Sequence, residues 1–266
     1  MILAGFGKMG KKIAALASST EDIRIVGAVE REDHPEIGGD VGELAGVGRL
    51  RAKVWPACKM EELVHSESPE VLVDFTNAEA SVANVSKAAK LGLSIVMGTT
   101  GHSEEQMDSI LTAIRDAGIP AVISPNMSFG VNVLFEACKL VASMLPGYDV
   151  EIMEIHHNQK IDAPSGTALK IARIISEAIG GHGKIVEGRK GRGARQRGEI
   201  GIAALRAGDV AGEHTVIFAG RGERIELIHR AQSRDAYASG VLECIRFVCG
   251  AQPGVYSVLD VLRGRR

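Results

Sequence analysis

Short apolar runs alternate with amphipathic stretches through the first half of the chain. Residues 23–29, 71–73, 93–97 and 119–123 are rich in Ile, Val and Leu, are bounded by turn residues, and predict strands. Between them, residues 8–17, 78–91 and 103–117 carry apolar positions at helical spacing; the last stretch opens at Ser103, with Glu105 close behind, and closes at Gly118. Near-continuous apolar strands alternating with helices predict a parallel sheet covered on both faces. Ahead of the first helix, Met1-Ile-Leu-Ala leaves room for only a stubby first strand unless the native chain starts further upstream. Residues 30–57 read as a Gly- and Glu-rich connection with no assigned element.

Beyond residue 127 the pattern changes. A helix is expected at 130–144, a strand at 150–156, a helix at 165–179, then strands at 199–206, 214–219 and 224–230, and a helix again at 235–249. Successive strands favour an antiparallel or mixed sheet and a second domain. The expected division is residues 1–126, residues 127–235, and a segment 236–266 returning to the first domain. Reading alternation along the last strands groups Ile200 and Ile202 with Thr215, Ile217, Ile225 and Leu227, yet Val216, Phe218 and Ile228 are apolar on the opposite parity. Helices cover one face of such a sheet, so the other face calls for another subunit in a closed symmetric dimer or tetramer.

Composition narrows the function classes. A chain of 266 residues supports one or two domains with a real core, and a net charge of -2 gives no reason to expect nucleic acid or an anionic membrane surface as partner. No apolar run reaches membrane-spanning length and the N-terminus lacks a signal-peptide pattern. Cys58, Cys138, Cys244 and Cys249 show neither CxxC nor zinc-ligand spacing, so buried thiols in a reducing cytoplasm are expected, with no metal.

Candidate chemistry starts at Gly5-Phe6-Gly7-Lys8-Met9-Gly10, a GxGxxG between a strand and a helix, with Glu30 following 20 residues after Gly10 at the end of the second strand. Glycines there let the backbone approach a pyrophosphate seated on the helix N-terminus, and the acid meets the adenosine ribose. The same residues nearly match a nucleotide-triphosphate loop, but Lys12 stands where that motif needs a magnesium-binding Ser or Thr. Arg31 beside Glu30 is suited to a 2′-phosphate, so both NADH and NADPH stay open. Two further turns, Gly98-Thr99-Thr100-Gly101 and Ser124-Pro125-Asn126-Met127, follow parallel strands at their carboxyl ends, where such sheets bind ligands.

The densest chemistry lies at 151–168: Glu151-Ile-Met-Glu154-Ile-His156-His157-Asn-Gln-Lys160-Ile-Asp162-Ala-Pro164-Ser165-Gly166-Thr167-Ala168. One reading is a strand with a charged wet face leading to an ordinary capped helix; the other is a proton donor beside an anion site at a helix start. Adjacent His156 and His157 make poor joint metal ligands. The whole stretch resembles the signature of the dihydrodipicolinate reductases. Asp74-Phe-Thr76, the two glycine and serine turns, and Arg206-Ala-Gly-Asp-Val-Ala-Gly-Glu213-His214 extend the resemblance over nearly the whole chain. It implies an α/β protein: a Rossmann-type dinucleotide-binding domain plus an α+β substrate and oligomerisation domain with a mixed open sheet.

The resemblance further implies a nicotinamide-dependent reduction of a cyclic dicarboxylate in lysine biosynthesis, in the cytoplasm, by a homotetramer. His156 becomes the general acid, Lys160 its assistant, and His157, Gly166 and Thr167 the carboxylate holders. Another Rossmann reductase, of the semialdehyde or homoserine type, would lack the His156-His157, Lys160, Asp162, Pro164-to-Thr167 order, and a cofactor-sensing module would bind without turnover. Residues 188–198 carry five basic side chains and four glycines, open to reading as a mobile lid or a solvated connection.

Overall fold

Strands of three or four residues, most of them apolar and buried, build one parallel sheet. In the computed structural model, which describes residues 1–264, they are β1 (Ile2–Ala4), β2 (Gly27–Glu30), β3 (Lys53–Pro56), β4 (Val71–Asp74), β5 (Ser94–Met97), β6 (Pro120–Ile123) and β12 (Gly254–Tyr256). Their order is β12-β6-β5-β4-β1-β2-β3. Successive residues of a strand face opposite sides. Ile2, Leu72 and Ile95 therefore pack under α3 (Met60–Glu67), α4 (Ala78–Lys90) and α5 (Glu104–Ala117), while Leu3, Val73 and Val96 pack under α1 (Lys8–Ala17) and α8 (Asp235–Val248). Each such side chain contributes about 1.5–3 kcal/mol on full burial. This unit comprises Met1–Phe129 and the chain from Asp235 onward, including α9 (Val258–Gly264).

The sequence placed a strand at 23–29, but pairing begins at Gly27. The reason is register: Gly27 pairs with Ile2 on one side and Lys53 on the other, so residues before it meet no full partner strand. Ile23 and Ile25 are buried without belonging to the ladder. The unassigned stretch 30–57 holds α2 (Val41–Ala45) as well as β3. Its organiser is a side chain: the Asp40 carboxylate accepts the N–H groups of Gly42, Glu43, Leu50 and Arg51 at 2.7–3.2 Å. Four hydrogen bonds to one carboxylate leave no periodic trace in a sequence.

The second unit, Gly130–Arg234, is a five-stranded mixed sheet of order β11-β10-β7-β9-β8. Its strands are β7 (Asp149–His156), β8 (Lys184–Glu187), β9 (Glu199–Arg206), β10 (Gly212–Ala219) and β11 (Arg224–Ala231). Val150, Ile152, Ile200, Ile202, Val216 and Phe218 face α6 (Phe129–Met144) and α7 (Gly166–Ala178). The grouping of faces from numbering alone is thereby corrected. Register aligns Ile152 with both Ile202 and Val216, and Val216 with Leu227, whereas Thr215 aligns with Met153 and Ile228 on the outer face. Odd and even numbers on separate strands share a face only once the register is known.

Two features mark the outer face. Met153, Leu205 and Ile228 are 38–48% exposed there. Strands β8 and β9 run parallel although consecutive, so the connection between them has to travel back along the strand length. That connection is the basic loop. Arg189 binds Glu199 at 2.7 Å and Glu151 at 3.3 Å, and Arg195 binds Glu151, Asp149 and the carbonyls of Val150 and Glu199. Among the described residues no helix is long and apolar enough to cross a membrane.

Candidate functional site

The inward stripe of β7 begins as core and ends as chemistry. Val150 and Ile152 are followed by Glu154, fully buried, and His156, 8% exposed. Glu154 is the hub. Arg206 at the end of β9 donates from Nη1 and Nη2 to its two oxygens, each at 2.9 Å, the backbone N–H of Ser165 donates at 3.1 Å, and His156 Nδ1 lies 2.5 Å from Oε2. Burial works to raise the Glu154 carboxyl, but these donors outweigh it and hold it below the usual carboxylate range. Burial lowers His156, and Glu154 only partly offsets that, so the ring is favoured neutral.

On β10, His214 stands in register with Glu154. Its ring meets that of His156 edge-on, centroids 5.3 Å apart, and its Nε2 lies 3.3 Å from Ser165 Oγ. Burial, then the neighbouring His156, pushes His214 down to about 3. Ser165 also caps α7 through the N–H of Ala168 at 3.2 Å, so the helix starts at Gly166 rather than at Ser165. Nothing protein-borne lies within 4 Å of where a side chain at Gly166 would begin, leaving open space at the positive end of the helix. Strand β7 ends at His156, which frees His157 from strand alternation, and the His157 carbonyl takes the N–H of Lys160 at 3.1 Å in the turn that follows. Lys160 Nζ donates to Asp162 at 2.7 Å, and that bond lowers the Asp162 carboxyl. The structure therefore brings His156, Lys160, His157, Gly166 and Thr167 onto one strand end, one turn and one helix start.

In the first unit, the glycine loop joins β1 to α1 at the switch point of the sheet, where β1 lies between β2 and β4. Gly5, at φ 85°, packs against the backbone of Phe75, and Gly10 packs against the carbonyl of Gly5, so neither site admits a side chain. Gly7 caps α1 with no side-chain cap, no acidic residue in the first turn, and open space within 4 Å of its Cβ direction. Such a helix start suits an anion. Phe6 is buried and its N–H donates to Glu30 Oε1 at 2.6 Å. Lys8 is exposed and Met9 half-buried; Arg31 pairs with Asp33 at 3.1 Å. Lys11, the lysine of the rejected triphosphate reading, is held by Glu36 at 2.5 Å.

In the two further turns the hydroxyls of Thr99 and Ser124 bond within the fold. The Thr99 hydroxyl is committed to Asp74 at 2.5 Å, and Asp74 also holds the Thr76 hydroxyl at 2.9 Å and Asn84 at 3.2 Å. Gly98 is required by the Phe75 ring against it. Ser124 Oγ closes its own turn on the Asn126 carbonyl at 2.8 Å, Met127 is buried, and Thr100 and Pro125 are exposed. Glu154, Arg206, His214 and Asp74 were assigned no role from sequence. One signal was available for Glu154, since residues two apart on a strand share a face and His156 was already singled out.

The family profile described as "Dihydrodipicolinate reductase, N-terminus" matches residues 1–127, and "Dihydrodipicolinate reductase, C-terminus" matches residues 130–262. The chain is 47% identical over 262 residues to the 4-hydroxy-tetrahydrodipicolinate reductase of Methanocaldococcus jannaschii, covering 98% of this chain and 96% of that one. It is 46% identical to the enzyme of the same name from Methanopyrus kandleri, over 99% and 96% of the two chains. Its fold is similar to the dipicolinate-bound dihydrodipicolinate reductase from Paenisporosarcina sp. TG-14, with a TM-score of 0.78, 26% identity and 97% of each chain covered.

Proposed function

Because the chain belongs to the dihydrodipicolinate reductase family, we propose that it reduces 4-hydroxy-tetrahydrodipicolinate to tetrahydrodipicolinate in the diaminopimelate route to lysine, as a cytoplasmic enzyme. The reaction removes water from the hydroxylated ring and adds one hydride and one proton to the resulting conjugated system. When bound, the reduced nicotinamide cofactor supplies the hydride. The observation that carries the reading is the junction of β7 and α7: a buried imidazole, a lysine one turn on, and an open helix start within one segment of chain.

His156 delivers the proton in this reading: Nδ1–H stays on Glu154, and Nε2, a lone pair in the neutral ring, takes a proton from Lys160 and passes it to the substrate. Lys160 stabilises the charge that develops on the ring and relays a proton to His156. His157, Gly166 and Thr167 hold a substrate carboxylate, aided by the positive end of α7. The residues of the first unit fit a dinucleotide: Gly7 leaves the α1 start open for a pyrophosphate, and Glu30 is already oriented by Phe6 for a ribose hydroxyl. Thr99 and Met127 contribute backbone rather than side chain, since theirs are committed to the protein. With Glu30 and Arg31 adjacent, the site suits NADH, NADPH or both. The apolar outer face of the second sheet supports a homotetramer assembled through that unit.

The test is to supply the condensation product of pyruvate and aspartate semialdehyde and follow nicotinamide absorbance. The expected result is its decline with either cofactor. Cofactor binding without turnover would replace this reading with that of a sensing module.

A further inference from the structure

We infer that Glu154 is a positioning residue that fixes the tautomer of His156, so that Nδ1 carries a proton and Nε2 is free to take a proton and pass it to substrate. The role rests on His156 as proton donor. The geometry of the tautomer does not.

An ionised carboxylate only accepts hydrogen bonds. Arg206 and the Ser165 N–H only donate, and together they meet both oxygens of a fully buried Glu154. An ionised Glu154 leaves the imidazole atom 2.5 Å from Oε2 one available part, that of a donor. Every charged or titratable group about this ring fits the assignment. Glu154 on β7 and Arg206 on β9 form a bidentate pair whose charges cancel, so the carboxylate orients the ring without forcing it to be cationic. His214 on β10 offers an uncharged edge at 5.3 Å, and His229 on β11 is likewise disfavoured as a cation by burial. Lys160 and Asp162 in the following turn are paired to each other at 2.7 Å.

The arrangement also explains why the proton donor and the anion site keep one geometry. A single carboxylate receives Nδ1–H of the first and the backbone of Ser165, which caps the second. The logic is that of a carboxylate behind a catalytic imidazole, where exchanging the acid for its amide leaves the frame intact but offers the wrong ring nitrogen, at a cost of about 10⁴ in turnover in the well-studied hydrolase case.

Glu154→Gln is the discriminating change. The amide keeps one oxygen for Ser165 and Arg206 Nη2 but turns an NH₂ donor toward Nδ1 and Arg206 Nη1. Nitrogen-15 correlation spectra of histidine-labelled protein without ligand should show His156 as the Nδ1–H form in the native protein, and as the Nε2–H form in the variant. Turnover should fall by about 10²–10⁴, with cofactor affinity unchanged. The loss follows because an Nε2 that already carries a proton cannot take the one from Lys160, and no carboxylate remains to stabilise the imidazolium. A native His156 in the Nε2–H form overturns the inference, and so does a variant that keeps both the native tautomer and native turnover. The native spectrum decides the matter even where the variant fails to fold. Because that spectrum needs no substrate, a protein with the expected tautomer change but no reductase activity would sink the functional reading alone.

Discussion

At the scale of single residues, the chemistry is concentrated where a buried stripe turns polar. His156→Gln or Lys160→Met should lower turnover by roughly 10²–10⁴, the range for a positioned acid or base. Cofactor affinity should hardly change, and near-normal turnover from either variant would remove the residue from the mechanism. Cofactor choice rests on another pair. Arg31→Ala should weaken NADPH more than NADH, since only the former has a 2′-phosphate, while Glu30→Ala should act the other way; equal losses in titrations of both cofactors would show that neither residue reads the ribose. His214 carries a consequence for acid stability. Its folded pKa of about 3 lies below its ordinary 6.5, so the unfolded chain takes up its proton first. The stability it contributes is complete above about pH 6.5 and is lost as pH falls toward 3, by about 1.4 kcal/mol per unit. Denaturant midpoints measured between pH 7 and 4 should therefore fall less steeply in His214→Gln than in the native chain. His156 and Lys160 stood out as candidates because their side-chain types sit together in one short segment. Arg206 was not, because its partner Glu154 is 52 residues away and only the parallel pairing of β7 with β9 brings them together.

At the scale of elements, periodicity was legible wherever an element was long enough to show it. Helix α5 was bounded by its own chemistry: Ser103 and Gln106 form a reciprocal cap at its start, and Gly118 adopts the left-handed conformation at its end. Length alone did not decide, since β4, β5 and β6 are equally short and show three consecutive apolar residues. Strands β3, β8 and β12 show only two, Val54-Trp55, Ile185-Val186 and Val255-Tyr256, and α2 is set by Asp40 rather than by any apolar stripe. The basic loop illustrates a different limit. Its composition suggested either a lid or a solvated connection, whereas its length follows from the parallel pairing of β8 with β9. Two of its arginines are spent on Glu151, Asp149 and Glu199, so its positive charge is partly neutralised within the fold.

At the scale of the whole molecule, the second sheet predicts assembly. Its outer face presents Met153, Leu205 and Ile228, all exposed, with Ile228 in line with Met153 across Thr215 and Leu205 two residues along β9 from Met153's partner Ala203. Exposed apolar side chains gathered on one face mark a contact site. Sedimentation should give a tetramer of this 28.2 kDa chain. Met153→Lys combined with Ile228→Lys should shift it toward smaller species; a monomer in the native protein would refute the interface. Apolar residues on both parities suggested a covered outer face, but register puts Val216 and Phe218 with Ile200 and Ile202 on the inner one and leaves Ile217 and Ile228 outside. Which residues share a face was not legible, because register is a property of pairing between strands.

The Asp74 carboxylate gathers the hydroxyls of Thr76 and Thr99 and the amide of Asn84, joining the ends of β4 and β5 to α4. The turns beyond those strands are thus set before any ligand arrives. Ordering a free residue costs roughly 1–2 kcal/mol in backbone entropy, and here that cost falls on folding rather than on association. In the proposed reading, a cofactor that meets these turns docks on ordered backbone, and the entropy of complex formation carries little contribution from them.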